Sequence, residues 1–266
     1  MDMNQQLKQL EQFRTEGANK VFTMYLNTDP ADPDQQGGKW KINFKKGMHN
    51  FEQYLQKDNN KEELKNFQLI KTKVEKYVHA HEPDLLKGII VFATADEEVW
   101  FADRVQMRLE TTFSWQETPE LGQFKRLKVA YPKSGIILVQ QEEIKIIESE
   151  LNRIENTTSY ELDLDTDDWR QKKGPRKGNA TKGAPGASNY QQDHFNARYE
   201  ANKQRWYKKI APQLDKQAKD WEKIYIVGEA DPTNELKRQM NKSADEVIHK
   251  NMLDQDETKV LQEVFG

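Results

Sequence analysis

The sequence predicts an α/β (α+β) protein of two domains, residues 1–130 and 131–266, the second carrying a mobile loop over 165–190. Three observations predict it. At 266 residues the chain exceeds what one ordinary core closes, since compact domains run to roughly 100–200 residues. Hydrophobic residues make up 35% and charged residues 32%, a polar balance that still leaves enough Trp, Phe, Tyr, Ile and Leu for real cores. Short apolar runs also alternate with helical periodicity in two blocks, on either side of a mixed connector at 106–132.

The elements follow in order. Leu7, Leu10 and Phe13 make an apolar stripe over about 4–14, which reads as an amphipathic helix. VFTMYLN (21–27) reads as a buried strand. The segment DPADPDQQGG breaks regular structure and leads to helices over 39–57 and 61–80, separated by DNN at 58–60. KGIIVFATA (87–95) and VWFADRV (99–105) form a strand pair around a turn at Asp96–Glu98. The connector, with Pro119, Gly122 and Pro132, suits one strand and one short helix. Strands are expected at 135–140, 144–149 and 159–164, then the loop, a long helix to about Lys219, a buried strand KIYIVG (223–228), and helix from about Thr233 onward.

Several function classes drop out. No apolar run approaches the ~20 residues that span a bilayer, and the amphipathic start does not resemble a secretory signal. The expected protein is cytoplasmic, with no membrane partner. The chain has no cysteine and five histidines, which removes thiol catalysis and Cys-based zinc sites and leaves little for a His-based one. His49, His79, His81 and His249 show no ligand or triad spacing. No P-loop, dinucleotide fingerprint or nucleophile elbow is present, so neither a cofactor nor a metal is expected.

Charge is distributed unevenly. The formal net charge is −3, but residues 170–209 hold 11 Lys and Arg against two acids, a local +9 on a body of −12. The part from Arg170 to Asn189 has four glycines, two prolines, six cations and no acid. Such a stretch neither buries a core nor keeps one conformation, and long loops of this kind within domains are often functional. Arg170, Lys172, Lys173, Arg176, Lys177 and Lys182 are candidate phosphate ligands. Gly174, Gly178, Gly183 and Gly186 supply flexibility and close backbone approach. A solvated insertion without a partner is the bland alternative.

At about 100° per residue, Phe195, Tyr199, Asn202, Trp206 and Ile210 share one side of the following helix, while Arg198, Arg205, Lys208 and Lys209 share the adjoining one. This predicts one seam toward the domain and a cationic seam toward a partner. Extended one turn back, the helix brings Gln191 onto the cationic side and Gln192 to the edge of the core side. Gln191 is therefore the candidate catalytic residue, with Gln192 second. Ser188-x-x-Gln191 also matches a capping box, in which the glutamine only satisfies a helix end. Asp163, Asp165, Asp167 and Asp168 admit a magnesium-nuclease reading, though a solvated strand end balancing the basic loop explains them more simply. His194 is a candidate general base or simply an exposed residue.

Three strands, a basic Gly-containing loop, a glutamine at its end and a long basic helix resemble the catalytic middle domain of archaeal and eukaryotic-type peptide-chain release factors. Ala197-Arg198, Lys203 and Tyr207 lie at that family's spacings and assign its glutamine to Gln191. KIYIVG followed by ADPTNELK resembles the next strand and helix, and the order of elements upstream resembles the family's first domain. Within the family, the resemblance points to bacterial proteins akin to the Vms-type factor of ribosome quality control.

Three departures stand out: Asn189 and Tyr190 replace the family's Gly-Gly, the turn at 58–60 lacks stop-codon reading motifs, and the sequence stops where the third, GTPase-binding domain would begin. The resemblance thus implies codon-independent release of nascent peptide from peptidyl-tRNA on stalled or split ribosomes. The implied partners are large-subunit rRNA and peptidyl-tRNA, without a GTPase. Endonucleolytic cleavage near the tRNA 3′ end and non-catalytic ribosome binding are the alternatives.

Overall fold

The computed structural model describes residues 3–58, 60–172 and 189–266, with side chains described outside 3, 4, 36 and 189–195. The chain divides into two compact units, Met1–Ala130 and Tyr131–Gly266. Among the described residues it is a mixed α/β protein with two sheets and seven α-helices.

The first unit contains α1 (Met3–Gln12), β1 (Val21–Asn27), α2 (Lys39–Lys57), α3 (Lys61–Ala80), β2 (Gly88–Ala93), β3 (Trp100–Val105), β4 (Thr112–Gln116) and α4 (Gly122–Ala130). Its antiparallel sheet has the order β3-β2-β1-β4, with Met24 opposite Val91 on one side and Phe113 on the other. β1 and β2 are buried along their whole length because both faces are covered, which is why they read as largely apolar runs without alternation. Phe22, Met24, Ile89 and Val91 pack under Phe44, Met48, Phe67, Ile70 and Val74 of α2 and α3. On the opposite face, Tyr25, Phe92, Phe101 and Phe124 form an aromatic cluster with ring centroids 5.5–5.9 Å apart. α3 starts where the Asn60 side chain accepts from the Glu63 amide at 3.1 Å, satisfying one of the helix's open first-turn donors.

The second unit contains β5 (Ser134–Val139), β6 (Glu143–Glu150), β7 (Arg153–Asp163), β8 (Asp168–Gln171), α5 (Asn189–Gln217), β9 (Lys223–Gly228), α6 (Ala230–Gln239), β10 (Glu246–Ile248) and α7 (Glu257–Phe265). The sheet order is β10-β9-β5-β6-β7-β8. β9 runs parallel to both β5 and β10, and the other pairs are antiparallel. α5 and α6 cover one face through Ile137, Val139, Ile144, Ile146, Tyr160 and Leu162. α7 covers the other over Ile136, Leu138, Ile147 and Val227. Gly135 is required here, since a Cβ on it would overlap the Trp221 ring.

Three expectations change. β7 begins at Arg153, six residues earlier than the apolar pattern suggests, because its first half faces solvent. The loop expected over 165–190 is shorter, since residues 168–171 pair with β7 as an edge strand and α5 begins at Asn189. The stretch read as helix from Thr233 contains β10, a three-residue edge strand beside β9.

Candidate functional site

α5 is the element that assembles the site. Among its described side chains, Tyr199, Trp206, Tyr207, Ile210, Ala211 and Leu214 are buried, spaced so that one stripe meets the sheet. Tyr207 belongs to this stripe, whereas Asn202 is only half-buried and donates to the Arg198 carbonyl at 2.8 Å.

Polar bonds fix the helix against the carboxyl ends of β5 and β9. The Tyr207 hydroxyl donates to the Gln140 carbonyl, one residue past β5, at 3.0 Å. Tyr199 donates to Asp231 Oδ2 at 3.0 Å, and Lys203 Nζ reaches Oδ1 of the same carboxylate at 2.8 Å. Asp231 lies in the first turn of α6, so a single carboxylate ties α5 to the element that follows β9. Burial pushes both tyrosine hydroxyls upward in pKa, and their mutual contact adds to this for Tyr207. Both are neutral hydrogen-bonding groups at physiological pH. From the sheet edge, Trp169 of β8 donates its Nε1–H to the Trp206 carbonyl at 2.9 Å.

The cations of α5 close around Asp167, in the turn between β7 and β8. Arg198 meets Oδ1 at 2.9 Å and Arg205 meets Oδ2 at 2.6 Å. Lys209 Nζ donates to the Asp167 carbonyl at 2.6 Å, and Arg198 also donates to the Leu164 carbonyl. The Arg198 guanidinium, followed by Arg205, holds the Asp167 carboxyl below its usual range. The seam expected to face a partner is therefore already engaged by the Asp167 turn at three of its four positions, two of them on the carboxylate. Lys208 is exposed.

Two of the loop cations are likewise paired. Arg170 meets Asp163, and Lys172 lies 3.5 Å from Glu143 and 3.3 Å from Glu161. Lys173, Arg176, Lys177 and Lys182, with Gly174, Gly178, Gly183 and Gly186, fall outside the described residues. Gln191 and Gln192 are the third and fourth residues of α5, with their side chains, and that of His194, outside the description. The Asp163 carboxylate accepts from the Asp165 amide at 3.0 Å and from Thr166 Oγ1 at 2.9 Å, and with Arg170 also on it, this acid builds a turn. Among the described residues no group of three or more His, Asp or Glu is arranged to hold a metal ion, and no helix is long and apolar enough to cross a membrane.

Sequence reasoning missed Asp167 and Asp231 as organisers of α5. Their partners are 31–42 and 28–32 residues away, and neither separation leaves a local pattern.

Residues 132–266, the whole α5-bearing sheet, match the family model described as bacterial archaeo-eukaryotic release factor family 5. The chain belongs to this family. Over 267 residues, covering 100% of this family 5 chain and 99% of the relative, it is 33% identical to the uncharacterized protein YocB of Bacillus subtilis (strain 168). Among solved structures, it is similar to the crystal structure of an archaeal translation termination factor at TM-score 0.33 and 10% identity, covering 98% of this chain and 72% of that one. A second, titled only as an archaeal protein, gives TM-score 0.31 and 11% identity, with the same two coverages.

Proposed function

We propose that this family 5 chain releases nascent peptide from peptidyl-tRNA on stalled or split ribosomes in the cytoplasm, without reading a codon. In this reading Gln191 positions the hydrolytic water, in the manner of a Vms-type factor. The observation that carries the reading is the place of Gln191 in a release-factor-family chain. It is the third residue of a helix tied through Tyr199 and Tyr207 to the sheet's carboxyl edge, with about 12 Å of helix between Gln191 and Tyr199.

Glutamine is no base at neutral pH, but its amide both donates and accepts. Held at the peptidyl ester, it orients a water for attack on the carbonyl carbon and disfavours other geometries. The first-turn N–H groups of α5 have no partner within the helix, and they are the donors in reach of a developing oxyanion. Lys173, Arg176, Lys177 and Lys182 bind rRNA and tRNA phosphates through charge-assisted bonds. Arg198, Arg205, Lys208 and Lys209 do the same from the helix, and Arg170 and Lys172 from the loop's first strand. Because the ester is presented by the ribosome, the isolated protein is inactive on a free ester. Codon independence is supported by the tight link between α2 and α3, which end at Lys57 and begin at Lys61. That leaves no room for a codon-reading loop.

The test is incubation with purified large subunits carrying peptidyl-tRNA, reading both the peptide and the tRNA 3′ end. Free peptide with an intact 3′ end is expected. Loss of terminal nucleotides assigns the chain to tRNA cleavage instead, and peptide retention with tight subunit binding assigns it to non-catalytic binding.

A further inference from the structure

The cation cluster on α5 holds a ligand of its own. Three side chains, one and two helical turns apart, converge on four acceptor atoms of one short turn: the Leu164 carbonyl, the Asp167 carbonyl and both Asp167 carboxylate oxygens. The turn is shaped to present that carboxylate. Asp163 caps it from within, Trp169 anchors its far side to the Trp206 carbonyl, and Asp167 takes φ 53°. A residue with a side chain adopts that left-handed conformation only where its surroundings hold it there.

We propose that Arg198, Arg205 and Lys209 form a binding site for an RNA phosphodiester, and that Asp167 occupies it in the free protein as a stand-in for the phosphate. This rests on the release-factor reading given above. The planar guanidinium fork bonds a carboxylate and a phosphate in the same way, so the two non-bridging oxygens of a backbone phosphate replace Oδ1 and Oδ2 of Asp167. The exchange is favourable because the clamp is open to water: the Asp167 side chain is 30% exposed and that of Arg205 56%. Ion pairs of that exposure are weak, whereas a nucleic-acid phosphate gains from the counterions it sheds. Exposed Lys208 adds a cation next to the same site. Along the helix axis the site runs from about 10 Å (Arg198) to about 27 Å (Lys209) beyond Gln191, so a strand held there by its phosphate lies on the same helix that carries the glutamine in its first turn. An occupied clamp keeps the helix from gripping RNA indiscriminately, and only RNA presented in the right register displaces the turn.

The experiment measures binding of a short fluorescent single-stranded RNA to the full chain over a range of salt, comparing Asp167→Asn with Asp165→Asn. Asp165 is exposed, lies two residues away in the same turn, and its replacement removes the same charge without touching the clamp. Asp167→Asn is expected to tighten binding about threefold to tenfold. The salt dependence steepens by about 0.7 in log–log slope, the value of one single-strand phosphate contact. Asp165→Asn changes binding by less than about twofold, and in an Arg198→Ala/Arg205→Ala background Asp167→Asn gains nothing. Equal gains from the two aspartate variants reduce the effect to bulk charge and overturn the proposal. So does unchanged or weaker binding by Asp167→Asn, which makes Asp167 a staple that arranges the cations. Peptide release from loaded large subunits, measured on the wild type, decides the functional reading separately: release without an Asp167→Asn gain removes the clamp site and leaves that reading standing.

Discussion

The two units use their carboxylates differently. In the first unit, buried Asp32 accepts from two neighbours in its own loop, Asn27 Nδ2 at 2.7 Å and the Asp34 amide at 3.0 Å, and also pairs with the sequence-distant Arg108 at 2.8 Å. The sheet beneath is covered by apolar rings, and its polar bonds close the loop after β1. In the second unit, Asp167 and Asp231 reach α5 from two different connections. They bind residues between Arg198 and Lys209 of the helix whose first turn carries the candidate glutamine. The same chemistry thus closes a loop in one unit and aims a helix in the other, and it is the aimed helix that carries the functional hypothesis.

That contrast is open to attack by substitution. The largest effect is expected from Trp206→Ala, which empties a fully buried site and should cost about 3–5 kcal/mol in urea denaturation, as Phe67→Ala should in the first unit. A loss below about 1 kcal/mol from Trp206→Ala shows that α5 is not core-packed. Next is Gly135→Ala, whose Cβ meets the Trp221 ring, with an expected loss of about 1–3 kcal/mol by overpacking. Tyr207→Phe keeps the ring and removes the bond to Gln140, costing about 0.5–1.5 kcal/mol. Its sharper readout is hydrogen exchange in the first half of α5, which should quicken while α2 and α3 stay unchanged.

The smallest effect on stability belongs to Asp167→Asn. The folded carboxyl titrates below its ordinary 3.8, so between those two values the unfolded chain binds more protons. Its contribution is complete above about pH 4 and fades as pH falls through the depressed value. Asp167→Asn should flatten that part of the melting-temperature profile and leave the neutral region nearly unchanged.

What the sequence shows and hides follows from burial. β1, β2 and β5 are covered on both faces and stand out as mostly apolar runs, and α2 ends and α3 begins where DNN breaks the pattern. The first half of β7, RIENTT, is mostly exposed and so lacks alternation, while β8 and β10 are edge strands of four and three residues held by a neighbour. The helical repeat predicts Gln191 on the side of α5 that carries Arg198, an expectation that falls outside the described side chains. It could not show that Asp167 already sits on that side, because the acids of residues 163–168 are explained equally well as a solvated strand end. Only the fold of the β7–β8 turn separates Asp167 from Asp165.

The most direct measurement is the single-turnover rate of peptide release from saturating peptidyl-tRNA-loaded large subunits by wild type and Gln191→Ala, with subunit affinity determined in parallel. The account predicts a rate lower by about a hundredfold or more at unchanged affinity. A Gln191→Ala protein that releases peptide at the wild-type rate contradicts it and leaves residue 191 as part of a helix cap.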